Sequence, residues 1–144
     1  MRAVIQRVSG ASVSVNGEIS GCISRGYVVF LGIGETDTKE NAENLAEKIK
    51  KLRIFADENK KTNLSSEDIG GEILIISQFT LYADCKKNRP DFSSAGSPKL
   101  ARELYEYFIK ICENKFKTVK SGIFGANMQV SLVNDGPFTV ILEM

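Results

Sequence analysis

The chain has 144 residues, 42% of them hydrophobic, and carries a formal net charge of +1 with no histidine. This length and apolar content predict one domain over residues 1–144, and the near-neutral charge excludes a protein that attracts nucleic acid through its total charge. Without histidine, the commonest general base of enzymes is absent, so any chemistry must rest on other groups.

The first part of the chain has the pattern of β-strands. Residues 2–8 and 11–15 alternate in a strand-like way, and Asn16-Gly17 is a typical hairpin turn. Residues 26–34 form a short, continuous apolar run, as expected for a strand buried on both faces. No apolar run approaches the about 18 residues that a membrane span requires, and the N-terminus lacks a signal-peptide pattern, so we expect a cytoplasmic protein.

Two amphipathic helices are predicted farther along the chain. In the first, Asp37 or Thr38 can cap a series of apolar residues at helical spacing that extends to Leu52. In the second, Ser97 precedes a proline, which is the usual order of a cap and a first-turn residue. Its apolar stripe reaches Cys112, where a buried thiol is expected.

The remaining segments complete the predicted architecture. Residues 57–71 have the composition of a polar loop, and residues 73–76 that of a buried strand. Residues 116–120, 128–133 and 138–142 return to strand patterns. About six or seven strands at the two ends of the chain, with two helices, indicate the α+β class. We expect a curved, barrel-like antiparallel sheet with two main helices packed on it.

The segment Ser77-Gln78-Phe79-Thr80-Leu81-Tyr82 places polar groups at the end of a buried strand. A rigid strand end can present such groups into a cleft, although hydroxyls there also bond locally to the backbone, so both interpretations stay open. Thr80 as a nucleophile would need an activating base. Backbone N–H groups near Phe79 and Thr80 are better candidates, as donors to a developing oxyanion.

The segment Asn134-Asp135-Gly136-Pro137-Phe138-Thr139 places a Gly-Pro turn before the last strand. Glycine permits a close backbone approach and proline stiffens it. The pair is therefore either an ordinary turn or a rigid wall beside a substrate.

Cysteine and lysine residues do not define a further site. Cys22, Cys85 and Cys112 are odd in number and widely spaced, so we expect neither a disulfide framework nor a structural metal. Basic clusters lie at residues 86–89 and 115–120. The two clusters could flank one anionic ligand, although each by itself is more typical of a solvated surface.

Five segments together match the pattern of one family. They are residues 1–8, 77–81, 89–92, 124–128 and 134–139. On these segments, over essentially its whole length, the chain resembles the D-aminoacyl-tRNA deacylases of the widespread bacterial and eukaryotic type.

The resemblance implies a proofreading enzyme that hydrolyses the ester between a D-amino acid, or glycine, and the 3′ end of tRNA. It implies a cytoplasmic homodimer with the active site at the subunit interface. A cis Gly136-Pro137 pair from one subunit would exclude L-amino acids from the pocket of the other by shape. The 2′-hydroxyl of the tRNA would assist catalysis, without a metal or cofactor.

The resemblance also assigns roles to individual residues. The residues that would line the pocket around the scissile ester are Ser77, Gln78, Phe79 and Thr80. Those associated with chiral selection are Gly136, Pro137, Arg7, Asn134 and Thr139, with Arg7 holding the turn. Those that would hold the terminal adenosine are Phe124, Ala126 and Met128.

Two other functions remain possible at this point. A non-catalytic nucleic-acid-binding module could combine the basic clusters with Tyr82, Phe92 or Phe124 as stacking surfaces, although the near-neutral net charge weighs against it. An esterase or amidase acting on small molecules would require a nucleophile and base, and no such pair is visible.

Overall fold

The computed structural model describes residues 1–144 and contains eight strands, two α-helices and a short 3₁₀ helix. The strands are β1 (Arg2–Val15), β2 (Glu18–Ile23), β3 (Gly26–Gly32), β4 (Arg53–Ala56), β5 (Thr62–Ser65), β6 (Glu72–Ser77), β7 (Val119–Ser121) and β8 (Met128–Glu143). The helices are α1 (Lys39–Lys50) and α2 (Pro98–Glu113), and the 3₁₀ helix is Phe79–Tyr82. No helix is both long enough and apolar enough to cross a membrane.

One curved, barrel-like sheet of six strands organises the molecule, and β1 is its central member. The first half of β1 pairs with β3, its second half pairs with β2, and its opposite edge pairs with β8. These pairings are antiparallel, whereas β6 runs parallel to both β3 and β7. The predicted α+β class with two helices is confirmed, but the sheet is mixed rather than wholly antiparallel. Helical crossovers return the chain to the same end of the sheet, so that β6 and β7 enter in parallel.

Several strands differ from the predicted ones because a distant partner decides where pairing ends. The segments predicted at 2–8 and 11–15 are one strand, and those at 128–133 and 138–142 are also one. β5 lies inside the predicted loop at 57–71. Its pairing with β4 is a tertiary contact that leaves little mark on the local sequence pattern.

Both predicted helices form, and their caps follow from local chemistry. The Thr38 hydroxyl accepts a hydrogen bond from the Asn41 backbone N–H, while the Asn41 side chain accepts one from the Thr38 N–H. Ser97 caps α2 through the N–H of Leu100, and the proline after it occupies the first turn. Cys112 is fully buried, as predicted, and burial raises the pKa of its thiol to about 12.

Apolar side chains pack on both faces of the sheet. The larger core lies between the sheet and the two helices, where Leu45, Ile49, Leu104 and Phe108 are fully or almost fully buried. A smaller cluster on the other face is covered only in part, by Phe30, Met128, Val130 and Leu132. The half-covered residues of that face lead into the cleft described below.

Tyr105 links α2 to the strands beneath it. Its buried hydroxyl lies 2.9 Å from the carbonyl oxygen of Ile75 and 3.1 Å from that of Gly122, and its one proton is shared between these two acceptors. Burial raises the pKa of Tyr105 to about 12, so the hydroxyl stays protonated and keeps donating at neutral pH. This contact fixes the end of β6 relative to the segment that follows β7.

We expect Tyr105→Phe to lower the free energy of unfolding by about 1–3 kcal/mol, because the Gly122 carbonyl would lose its hydroxyl donor in a buried site. Urea unfolding of the purified protein measures this loss. The matched control is Tyr107→Phe, since the Tyr107 hydroxyl donates to the exposed Glu43 carboxylate. Its change should stay within about 0.5 kcal/mol. Equal losses in the two variants would contradict the assignment.

Candidate active site

An apolar cleft of about 700 Å³ opens where the ends of β3 and β6 meet the start of α2 and the segment before β8. Eleven of its 18 lining residues are hydrophobic, and none has an ionisable side chain. The lining residues are Leu31, Ile33, Ile76, Ser77, Gln78, Phe79, Phe92, Ala95, Gly96, Ser97, Pro98, Ala101, Phe124, Gly125, Ala126, Asn127, Met128 and Val130. Such a surface suits an uncharged ligand with aromatic or apolar parts.

The predicted motif at residues 77–82 forms one wall of this cleft. Ser77 ends β6, and the Gln78 N–H donates to the Leu31 carbonyl at 2.8 Å, which ties the motif to the end of β3. Ser77, Gln78 and Phe79 line the cleft. Thr80 does not line it, but its hydroxyl accepts a hydrogen bond from the Gln78 side-chain amide.

Two glycines allow this wall to pack closely on β3. A Cβ atom at Gly32 would lie 3.0 Å from the Cβ of Leu81, and one at Gly34 would lie 2.9 Å from the Tyr82 ring. The Arg2 guanidinium holds the segment from the other side, where it donates to the Leu81 carbonyl and lies 5.0 Å from the Tyr82 ring centre. The sequence analysis missed these supporting roles, and the only signal for them was the pair of glycines at the end of an apolar run.

The first turn of the 3₁₀ helix contains two candidate donors. No turn, loop or cap hydrogen bond is donated by the N–H groups of Phe79 and Thr80, whereas the next N–H, from Leu81, donates to the Gln78 carbonyl. Unpaired N–H groups are the normal result at a helix start. Phe79 lines the cleft and Thr80 follows it at the edge, so their N–H groups are the candidate donors to an oxygen atom that gains negative charge there.

The opposite wall contains the residues predicted to hold an adenosine. Phe124, Ala126 and Met128 all line the cleft, and the Phe124 ring packs on Tyr105 at a centroid distance of 5.8 Å. Phe92 also lines it and packs edge-on against Phe79, at 5.0 Å between ring centres. The walls therefore offer aromatic surfaces against which a flat base could stack.

The start of α2 closes the cleft, and sequence reasoning predicted this segment only as a helix start. The Gly96 N–H donates to the Ile33 carbonyl at 2.8 Å and so attaches the segment to the end of β3. Ser97, Pro98 and Ala101 then line the cleft. Only the tertiary fold brings this helix start to the residue 77–82 motif.

The Gly136-Pro137 turn lies outside the cleft of its own chain. Both residues are exposed, neither lines the cleft, and the peptide bond between them is cis. The buried guanidinium of Arg7 donates to the carbonyl oxygens of Asp135, at 3.0 Å, and Gly136, at 3.3 Å. It also forms an ion pair with the Asp135 carboxylate and donates to the Ile54 carbonyl.

Asn134 closes the same turn from its other side. Its side-chain amide donates to the Arg7 carbonyl at 2.9 Å and to the Phe138 carbonyl at 3.3 Å. Its side-chain oxygen accepts from the Gln6 amide and the Thr139 hydroxyl, each at 3.3 Å. The Arg7 guanidinium also lies 4.1 Å from the Phe138 ring centre. The turn is thus held firmly while its tip faces outward.

The predicted site residues therefore form two groups. Six line the cleft, and they are Ser77, Gln78, Phe79, Phe124, Ala126 and Met128, with Thr80 bonded at its edge. Five form the turn cluster, and they are Arg7, Asn134, Gly136, Pro137 and Thr139. Within one chain the two groups do not share a cavity.

The second basic cluster does not flank the cleft. The Lys115 ammonium lies 2.8 Å from the Glu47 carboxylate. Hydrogen bonds from Lys115 and Lys51 hold the pKa of Glu47 at about 2, well below its ordinary value. β7 runs parallel to β6, and the Thr118 carbonyl accepts from Ile73, so the preceding Lys117 lies near the start of β6, whereas the cleft is at its end.

Comparison with known proteins finds relatives along almost the whole chain. The family described as D-Tyr-tRNA(Tyr) deacylase matches residues 4–143. A relative from Thermosipho africanus (strain TCF52B), named D-aminoacyl-tRNA deacylase, is 56% identical over 99% of this chain and 97% of its own length. A relative of the same name from Koribacter versatilis (strain Ellin345) is 55% identical, with the same two coverages.

Solved structures extend the comparison to the fold. One described as "c-Myc DNA Unwinding Element Binding Protein" has a TM-score of 0.95 and 44% identity, and the match covers 100% of this chain and 99% of that one. Another is described as a probable eukaryotic D-amino acid tRNA deacylase and has a TM-score of 0.88 at 17% identity. This match covers 99% of this chain and 98% of that one, and it shows the shared fold alone. Fold and relatives together place the chain among the deacylases, a class of hydrolases. It belongs to the D-Tyr-tRNA(Tyr) deacylase family.

Because no lining side chain ionises, the rate of deacylation should show no inflection from a protein group between about pH 6 and 8. Single-turnover hydrolysis, measured across this range and corrected for spontaneous hydrolysis, checks the prediction. Apart from the titration of the substrate's own α-amino group at about pH 8, the plot of log rate against pH should show no inflection. An inflection beyond that of the substrate's amino group would show that an ionisable side chain outside the cleft takes part.

Proposed function

We propose that the protein hydrolyses the ester between the 3′ end of tRNA and a D-amino acid or glycine, and so acts in proofreading. The single observation that carries this proposal is a cleft with aromatic walls and the start of a 3₁₀ helix in its lining, but no ionisable side chain. Such a cleft can bind a nucleoside and its ester group and stabilise an oxyanion, but it cannot supply a side-chain base. The whole chain, residues 1–144, would act as one catalytic domain in the cytoplasm.

In the proposed reaction, water adds to the carbonyl carbon of the ester. The negative charge that develops on the carbonyl oxygen is stabilised by the N–H groups of Phe79 and Thr80. The bond to the ribose 3′-oxygen then breaks, and that oxygen takes a proton. The neighbouring 2′-hydroxyl of the tRNA would assist this proton movement, since the cleft offers no ionisable side chain for it. Ser77 and Gln78 would orient the ester.

The terminal adenosine would occupy the opposite wall, against Phe124, Ala126 and Met128. Stacking on an aromatic ring binds a base with little demand on hydrogen bonding, and it is worth about 1–3 kcal/mol per base. No metal or other cofactor has a part in the proposed reaction.

Chiral selection would come from a second copy of the chain. The Gly136-Pro137 tip is exposed and does not line its own cleft, so it would act in the cleft of a partner subunit. A row of apolar residues across β8, β1 and β3 supports such a homodimer. Ile141 is 64% exposed and pairs with Val4, which in turn pairs with the half-buried Phe30. A second copy would cover this apolar row.

We expect the wild-type protein to hydrolyse D-tyrosyl-tRNA and glycyl-tRNA and to spare L-tyrosyl-tRNA. A turn held rigidly by Arg7 leaves room for hydrogen on one side of the α-carbon but not for an L side chain. Single-turnover assays with the three matched substrates measure this. Binding of tRNA without cleavage of any ester would favour a nucleic-acid-binding module instead. Rapid cleavage of simple activated esters would favour a small-molecule esterase.

Pro137→Ala should raise hydrolysis of the L ester by at least about tenfold, because a softer wall no longer excludes the side chain. The position of the wall can be tested with purified mixed dimers, in which a Pro137→Ala chain is paired with an Ala126→Trp chain whose cleft is blocked. Only the Pro137→Ala chain then has an open cleft, and its partner carries the intact turn. We expect such dimers to spare the L ester again.

Two controls make the mixed-dimer experiment decisive. The Pro137→Ala homodimer gives the L rate with no intact turn present, and the Ala126→Trp homodimer should be inactive on all esters. If the mixed dimer hydrolyses the L ester as fast, per open cleft, as the Pro137→Ala homodimer, the turn does not act across subunits. Failure to isolate any dimer would also contradict the proposed assembly.

A further inference from the structure

Positive charge is concentrated around the cleft although the chain as a whole is nearly neutral. Residues 84–102 contain three lysines, two arginines and two aspartates. This segment therefore carries a net charge of +3, whereas the whole chain carries +1. This segment supplies Phe92 and the start of α2 to the cleft wall. The cleft itself contains no charge, so these cations surround a neutral pocket.

One part of this charge sits on a hairpin at residues 84–91. Asp84 and Asp91 exchange backbone hydrogen bonds of 2.7 and 2.9 Å, which close the hairpin. Both carboxylates accept backbone N–H groups nearby, and the Asp84 carboxylate also pairs with Lys86 at 3.1 Å. Lys87 and Arg89 near the tip are exposed, and neither has a carboxylate within 4 Å.

The hairpin is anchored to the cleft at its base. Phe92 follows Asp91 directly, lines the cleft and packs edge-on against Phe79. The hydrogen bonds and ion pairs of the two aspartates stay within the hairpin and the adjoining residues, which leaves the two tip cations for a ligand. The two tip cations therefore belong to a hairpin whose base adjoins the cleft wall.

A third unpaired cation lies on the other side of the cleft. Arg102 is on the first turns of α2, is exposed, and has no carboxylate within 4 Å. Its guanidinium lies 5.1 Å from the centre of the Phe124 ring, which lines the cleft. We call Lys87, Arg89 and Arg102 the basic rim.

We propose that the basic rim binds the phosphates of the tRNA acceptor end that precede the terminal nucleoside. This inference rests on the proposed function, because it assumes that the cleft holds the terminal nucleoside and its ester. A strand that enters the cleft through this rim carries a phosphate at every nucleotide, and exposed, unpaired cations that contact these phosphates release the counterions condensed on the nucleic acid. The rim would provide affinity for tRNA, whereas the cleft would select the amino acid.

The test uses a rim variant, Lys87→Gln/Arg89→Gln/Arg102→Gln, and a matched control, Lys110→Gln/Lys117→Gln/Lys120→Gln. The control removes the same charge from exposed lysines that do not line the cleft. Each protein is assayed on D-tyrosyl-tRNA and on 3′-D-tyrosyl-adenosine, which has the same ester but no phosphate. Binding of tRNA that carries no amino acid is titrated at several salt concentrations, as a readout that does not require activity.

For the rim variant we expect kcat/KM on D-tyrosyl-tRNA to fall by about tenfold or more at low salt, with no change on 3′-D-tyrosyl-adenosine. The logarithm of the tRNA binding constant falls with the logarithm of the salt concentration, and for the rim variant the slope of this plot should become shallower by about 2. Each lost contact to a single-strand phosphate contributes about 0.7 to the slope, and the variant removes three cations. The control should keep the wild-type values for both quantities.

Other outcomes separate a wrong inference from a wrong function. Equal losses on both substrates would mean that the variant has damaged the cleft, and unchanged tRNA kinetics and salt slope would mean that the rim binds no phosphate. Either result overturns the rim assignment while wild-type activity stands. If the wild type cleaves neither substrate, the proposed function fails. The tRNA titration then still decides whether the basic rim binds the nucleic acid.

Discussion

The antiparallel pairing of β1 with β8 is the constraint on which the rest of the structure depends. β1 pairs along its other edge with β3 and then β2, so the main sheet is positioned relative to this one strand. β8 leaves the cleft wall at Met128 and later forms the Gly136-Pro137 turn. A slip of one residue in this pairing would reverse the faces of β8 and displace both regions together.

Irregular register in this pairing is what makes the turn possible. The pairing shifts between Gln6 and Val8 and again before Gly10, opposite the turn. Arg7 lies within the irregular stretch. Its guanidinium donates hydrogen bonds to the carbonyl oxygens of Asp135 and Gly136, in the part of β8 where the strand pairing is interrupted. One arginine therefore compensates for the missing strand hydrogen bonds and holds the turn outward.

The cleft is mainly apolar, whereas the turn is held by polar and charged side chains. The cleft is neutral and offers shape, aromatic faces and backbone donors, whereas the ionic and hydrogen-bonding side chains of the turn are occupied with holding the turn itself. In the proposed reaction this arrangement makes the substrate supply the proton-transferring hydroxyl. The same proposal would let a chain without histidine act as a hydrolase.

Sequence reasoning succeeded where a signal is local. Both helices, their caps and the buried strand at residues 73–76 follow from spacing and capping chemistry, and the structure contains them. Reasoning from the residues alone did not reach the pairing of β4 with β5, or the parallel entry of β6 and β7, since those depend on distant partners. The resemblance assigned roles to Arg7 and to residues within 77–80, 124–128 and 134–139, but none to Arg2 or to the glycines that position the first motif.

The sequence by itself determined which segments are helical, which residues are buried within them, and that no histidine is available for catalysis. It also indicated the family, through several short motifs that occur in the family's order along the chain. Only the tertiary structure decided that the motif at 77–82 faces Phe124 and the start of α2, and that the Gly-Pro turn lies outside that cleft. The physical reason is that a cleft is made by strand order and sheet curvature, which arise from contacts between residues far apart in sequence.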